Sequence, residues 1–177
     1  SQPEAVEGVA EKQSVIKAEK KELTSAEIER ANSVMSRLII IPELNRFARY
    51  AIRTNMADML SNDKGPFIIL APSNAVIENL PLEKKKFYAD QQNLPQLKEL
   101  LKSHILEGKL VGSLLQAIQK DGKAKSKTLK GTPFTVTESD GKIVFTNEQG
   151  TVATVLKNAI KASNGPVFII ANLLSLP

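Results

Sequence analysis

The sequence predicts an α+β fold, with helices first and mostly antiparallel strands later. Three observations predict it. Apolar residues recur at helical spacing through the first two thirds of the chain, and beyond Lys130 the period falls to two. Two apolar runs, Phe67–Pro72 and Val167–Asn172, stand one hundred residues apart, and each is announced by Gly-Pro. That order of elements is the α+β pattern.

The stretch Gly65-Pro66-Phe67-Ile68-Ile69-Leu70-Ala71-Pro72-Ser73-Asn74 is uninterrupted and bracketed by prolines, the mark of a strand buried on both faces. Ser73 or Asn74 follows at once as the cap of a helix. Gly165-Pro166-Val167-Phe168-Ile169-Ile170-Ala171-Asn172 repeats the pattern. A single helix cannot cover a two-faced strand, so both runs belong to one sandwich-like core.

Residues 1–23 mix Glu and Lys, with Val6, Val9, Ile16 and Leu23 too sparse for a firm stripe. They are expected to form a tether or marginal helix outside a single domain over residues 24–177. An added flank would have the same composition. Thr24-Ser25-Ala26-Glu27 is a capping box, and Ile28, Ala31, Met35 and Leu38 then share one helical face. Ile39-Ile40-Ile41-Pro42 interrupts, because proline biases its predecessor away from helix. A second helix starts near Pro42 with Leu44, Phe47, Ala48 and Ala51 inward, and Met56, Met59 and Leu60 extend the lining.

Past the first strand, Val76 and Ile77 predict a short helix, and Leu82–Tyr88 an exposed one. The clearest stripe is Leu97, Leu100, Leu101, His104 and Ile105, which predicts a helix after Asn93-Leu94-Pro95 ending at Gly108. Leu114, Leu115 and Ile118 predict another after Gly112-Ser113, closed by Asp121-Gly122. Lys120, Lys123, Lys125, Lys127 and Lys130 read as a basic loop. Phe134–Thr137 and Ile143–Thr146 flank Asp140-Gly141, a strong hairpin signal that sets Val136 opposite Phe145. Thr151–Leu156 reads as a further strand, and the second Gly-Pro run completes the domain.

The chain has 177 residues, 42% of them hydrophobic, enough for one domain with a real core. Trp is absent and aromatics are few, which argues against binding flat ligands by stacking. The absence of Cys removes disulfides, thiolate metal sites and cysteine nucleophiles together. No run approaches the ~18–20 apolar residues that span a bilayer. The N-terminus lacks a basic region followed by an apolar stretch, so an exported chain would have lost its signal. The net charge of +5 is concentrated in Lys84-Lys85-Lys86 and in Lys120–Lys130. Both are lysine without interleaved aromatics, the composition of a solvated basic surface, and no nucleic acid partner is expected.

His104 is the single histidine, so any Ser/His or metal scheme must pass through it. Its place on an apolar stripe predicts a ring hydrogen-bonded inside the core. There is no G-x-S-x-G elbow, G-x-G-x-x-G turn, Walker sequence or D-x-D-x-D-G calcium loop. The residues therefore predict no catalytic site, no metal site and no cofactor.

Three pieces in order carry a resemblance. Leu70-Ala71-Pro72-Ser73-Asn74, then Ser103-His104-Ile105-Leu106-Glu107-Gly108-Lys109-Leu110, then Ile160-Lys161-Ala162-Ser163-Asn164-Gly165 with a Leu-rich last strand ending at Pro177 resemble a fasciclin (FAS1) domain over about Thr24 to Pro177. The resemblance implies a β-sandwich wedge flanked by helices. It also implies a non-catalytic adhesion or binding module, extracytoplasmic, whether secreted, periplasmic or on the cell surface, with a surface protein or polysaccharide as partner. In animal members a Tyr-His pair and an Asp-Ile pair are associated with integrin binding. The matching positions here are Ser103-His104 and Ala159-Ile160, which remain the partner-binding candidates by family position. Both the tyrosine and the carboxylate are missing, and alanine cannot complete a metal site, so integrin is not the expected partner. The family's frequent Asp near the end of the last strand is Asn172. The short leader and lack of Cys resemble a bacterial member, such as a trimmed lipoprotein anchored through residues ahead of Ser1. Two other readings stay open: a carrier of a small apolar ligand in a cleft between helices and sheet, and a polyanion binder using the Lys120–Lys130 loop.

Overall fold

A computed structural model describes residues 22–108 and 111–175, with 111–115 described by backbone only. The expected leader therefore lies outside the described residues up to position 21, and the last two residues of the expected final strand lie outside them as well.

Helix α1 (Ser25–Ala31) opens as the capping box predicts: the Thr24 hydroxyl oxygen accepts from the Glu27 N–H at 3.2 Å. The expected continuation through Leu38 is a separate helix, α2 (Val34–Ile40). The break comes from a second cap, the Ser33 hydroxyl oxygen accepting from the Ser36 N–H at 3.2 Å. The restart turns the face: Val34, Met35 and Leu38 are buried while Ile28 and Ala31 are exposed. A 3-10 turn at Pro42–Leu44 leads into α3 (Asn45–Arg53), which buries Phe47, Ala48 and Ala51 as expected. Helix α4 (Ala57–Asn62) follows and buries Leu60.

Strand β1 (Phe67–Pro72) is buried along its whole length. In α5 (Asn74–Glu78) Ser73 holds the cap position without a side-chain cap bond. Asn74 instead accepts from the Arg46 N–H at 3.0 Å and donates to the Pro42 carbonyl at 2.8 Å, tying this helix to the start of α3. Helix α6 (Leu82–Ala89) is largely exposed but buries Tyr88. Helix α7 (Leu94–Lys102) buries Leu97, Leu100 and Leu101, and it stops six residues before the expected Gly108. Ser103 Oγ and His104 Nδ1 both reach the Leu100 carbonyl, at 2.6 and 2.8 Å, and close the last turn. The chain then pairs with β1 as β2 (Ile105–Glu107), with Ile105 opposite Ile69. Gly108 serves this pairing: its N–H reaches the Pro66 carbonyl at 2.7 Å, and a Cβ there would lie 2.9 Å from the same oxygen.

Helix α8 (Val111–Asp121) starts ahead of Gly112-Ser113 and buries Ile118. Next come β3 (Lys123–Lys127), β4 (Pro133–Ser139) and β5 (Lys142–Asn147), then β6 (Ile160–Ala162) and β7 (Gly165–Ile170). The hairpin is in the expected register, with Val136 opposite Phe145. Asp140 and Gly141 both have positive φ, 52° and 77°, as a two-residue primed turn demands. Two expectations fail here. Thr151–Leu156 makes only isolated bridges, Val152 to Thr146 and Val155 to Ile170, because this segment passes from one sheet to the other. The final strand ends at Ile170, and Leu173 and Leu174 follow it without strand pairing.

One sheet has the order β2-β1-β7-β6 and the other β3-β4-β5. The two Gly-Pro strands are adjacent and parallel, Leu70 opposite Phe168. Their side chains alternate between two cores. Phe67, Ile69, Ala71, Val167 and Ile169 pack against the helical layer, including Leu38, Phe47 and Leu101. Ile68, Leu70, Phe168 and Ile170 pack against Phe134, Val136 and Phe145 of the second sheet. The two-faced apolar run is thus the middle layer of three. Each fully buried large side chain contributes about 1.5–3 kcal/mol. No helix among the described residues is long and apolar enough to cross a membrane.

Candidate functional site

Of the four residues picked by family position, two lie in the interior. Ser103 is 7% exposed and His104 0%. His104 Nδ1 faces the Leu100 carbonyl at 2.8 Å and Nε2 faces the Leu174 N–H at 3.1 Å. A backbone N–H can only donate, so Nε2 is the acceptor and the ring is neutral with its proton on Nδ1. Burial pushes the imidazole pKa down to about 4, only partly offset by the Leu100 hydrogen bond. Phe47 and the ring pack in a tilted, T-shaped arrangement, with centroids 6.4 Å apart. His104 is a core hydrogen-bonding residue, as its place on the apolar stripe predicts.

Ala159 is exposed and Ile160 half-buried, so this end of the motif pair does reach the surface. Ala159 lines a groove of about 470 Å³ between the β4–β5 hairpin and residues 152–159. Its apolar wall includes Ile143, Val144, Val152, Val155, Leu156 and Phe168. Lys142 and Lys157 supply the charge, and no carboxylate among the described residues lines it. The Lys157 ammonium is held by Glu43. Asn172 shapes the groove from behind, its Oδ1 accepting from the Thr154 N–H at 2.9 Å and its Nδ2 donating to the Val152 carbonyl at 3.0 Å. The position where the family often carries Asp therefore holds the crossing segment in place.

The basic loop is not a loop. Lys123, Lys125 and Lys127 alternate outward along β3, with Ala124 buried between the first two, because a strand sends successive side chains to opposite faces. Lys120 sits in the last turn of α8 and Lys130 in the turn beyond β3. Lys127 lies 3.8 Å from Glu107, and Lys130 lies 3.8 Å from Glu99. Such exposed pairs contribute about 0–1 kcal/mol. Lysines on an edge strand also discourage pairing with another sheet.

Asn164 organises the helix-side entrance to the sheet. Its Oδ1 accepts from the Val34 N–H at 2.8 Å, and its Nδ2 donates to the carbonyls of Leu60 and Asp63 at 3.0 and 2.9 Å. One buried amide thus joins α2, α4 and the start of β7. Among the described residues no cluster of three or more His, Cys, Asp or Glu could hold a metal ion.

The Fasciclin domain family model matches residues 42–177. The chain belongs to the fasciclin domain family. A solved FAS1 domain pair from the insect cell adhesion molecule fasciclin I shares the fold of this fasciclin domain, with a TM-score of 0.67 at 16% identity. The match covers 82% of this chain and 51% of the solved one, so this chain spans about half of that length. Uncharacterized protein sll1735 of Synechocystis sp. is 28% identical over 120 residues, 68% of this chain and 80% of that protein. Fasciclin domains are generally non-catalytic modules of adhesion and binding, typically extracellular.

The part of this fasciclin domain that sequence reasoning missed is the groove. Its lining comes from the hairpin and from a segment read as an ordinary strand, and only the failure of residues 151–156 to stay with one sheet opens it.

Proposed function

We propose that this fasciclin domain is an extracytoplasmic adhesion or binding module that recognises a protein or polysaccharide partner. The observation that carries the reading is the open, mostly apolar groove beside Ala159, on a scaffold whose single histidine is locked inside the core. A surface concavity on a rigid sandwich suits recognition, and a buried imidazole has no access to a substrate. Integrin is disfavoured, because Ala159 brings no carboxylate and Ser103-His104 present no side chain to a partner.

The test is a binding screen against glycans and surface proteins at two salt concentrations. A hit that persists at high salt supports specific recognition, and silence against every class removes the reading. A second reading, polyanion binding, is favoured by Lys123 and Lys125, exposed on β3 and without an ion-pair partner among the described residues. Its mark is affinity that falls steeply with salt and drops when both lysines are changed to Ser.

A further inference from the structure

The groove beside Ala159 has a feature that its apolar lining does not explain. Strand β5 is the edge of its sheet. The Phe145 carbonyl accepts from the Ala153 N–H at 2.9 Å, and the Asn147 N–H donates to the Thr151 carbonyl at 2.9 Å. The odd-numbered residues of β5 therefore turn their backbone groups away from β4, as antiparallel pairing requires of alternate positions. Two residues earlier, Ile143 points the same way. By then the covering segment has left: the Thr154 carbonyl accepts from the Ala171 N–H, and the Leu156 N–H donates to the Ile169 carbonyl in the other sheet. The N–H and C=O of Ile143 thus lie at the mouth of the groove with no backbone partner among the described residues.

An unpaired strand edge is a template for another strand. We propose that the β5 edge at Ile143 takes an extended segment of a partner protein, with alternating apolar and acidic residues. Its backbone pairs with Ile143 in line with residues 151–153, and its apolar side chains enter on the face of Phe145, against Ile143, Val155 and Phe168. Its acidic side chains meet Lys142, which has no ion-pair partner among the described residues, and Lys157. No carboxylate among the described residues of the lining opposes them. The inference rests on the binding-module reading and narrows its partner to a protein chain, since an open strand edge is matched along its length by another peptide backbone, with side chains alternating to its two faces.

The probe is a fluorescein-labelled peptide of alternating Glu and Val, six residues long, titrated with the full chain and followed by anisotropy. Saturable binding is expected, with slower amide exchange at Ile143, and about tenfold weaker binding for Lys142→Glu and for the Lys/Val counterpart peptide. Ile143→Pro deletes the outward N–H while leaving the β4 ladder intact, and is expected to weaken binding as much. Circular dichroism and thermal unfolding check that this variant folds. If it does not, a peptide N-methylated at alternate valines makes the same deletion from the other side.

Absence of saturable binding overturns the proposal, as does equal binding of the two peptides or undiminished binding by Lys142→Glu. Decanoate binding in the groove in place of the peptide overturns it too and assigns the site to small amphiphiles. A partner from the wider screen that binds Lys142→Glu and Ile143→Pro as well as the native chain leaves the module reading standing and sinks the groove.

Discussion

The Nε2 atom of His104 accepts the backbone N–H of Leu174 at 3.1 Å, across seventy positions of sequence. A proton on that nitrogen would set donor against donor inside the core. The folded pKa of about 4 lies below the ordinary 6.5, so between these values the unfolded chain binds more protons than the native one. Stability is therefore full above about pH 7 and falls as the pH drops towards 4, by on the order of 3 kcal/mol from this group. Urea unfolding at pH 7, 5.5 and 4 measures the slope. His104→Leu should flatten it over this window while lowering stability at pH 7. An NMR titration of the ring with a midpoint near 6.5 would contradict the assignment.

Asn164 makes three side-chain hydrogen bonds, and no single replacement reproduces them. Asn164→Ala strands a buried N–H and two carbonyls and is expected to cost about 2–4 kcal/mol. Asn164→Asp should cost more, because it turns a carboxylate towards the Leu60 and Asp63 carbonyls. Chemical denaturation of the two variants gives the order.

Gly165 has φ 146°, and a Cβ built there would lie 1.8 Å from the Phe67 carbonyl oxygen. Gly165→Ala must push β7 off β1 and is expected to abolish folding. Gly150, at φ 84° with open space around it, provides the contrast. Gly150→Ala carries only the positive-φ penalty, about 1–2 kcal/mol. Soluble yield and melting temperature of the pair separate close approach from backbone strain.

The Tyr88 hydroxyl is buried without a hydrogen-bond partner among the described residues. Its pKa is pushed up to about 12, first by burial and then by the nearby Tyr50 phenol. Its ring packs at 5.3 Å on Phe87 and at 6.5 Å on Tyr50, so the ring rather than the hydroxyl holds the site. Tyr88→Phe is expected to be neutral or to stabilise by about 1 kcal/mol, since an unsatisfied buried hydroxyl opposes folding. A loss above about 1 kcal/mol in thermal unfolding would reveal a partner for that oxygen.

Much of this fold was legible because local and global signals agree. The Thr24 cap, the Asp140-Gly141 turn with Val136 opposite Phe145, and the two-faced strand at Phe67–Pro72 all stand as read. The misreadings have more than one cause: a local cap at Ser33 divides the first helical stripe, and other patterns are cut short by partners distant in sequence. Ile105 continues the helical stripe of Leu97 and Leu101, yet β1 claims it through the backbone. Lysines hid the period-two alternation of β3, whose inward positions are only Ala124 and Ser126. Val152 and Val155 read as one strand but are bridged to different sheets, and the groove between them has no signature in a linear pattern.

The parallel pairing of β1 with β7 has a consequence for how the chain is made. A ribosome moving at about 5–20 residues per second finishes Pro72 roughly 5–20 s before it finishes Ile170. Throughout that interval β1, apolar on both faces, lacks the neighbour that runs alongside it in the finished sheet. The helices that precede it can shield only one of its sides. The central sheet therefore closes only after Gly165–Ile170 has been made, and a chain ending short of Gly165 leaves one edge of β1 unpaired.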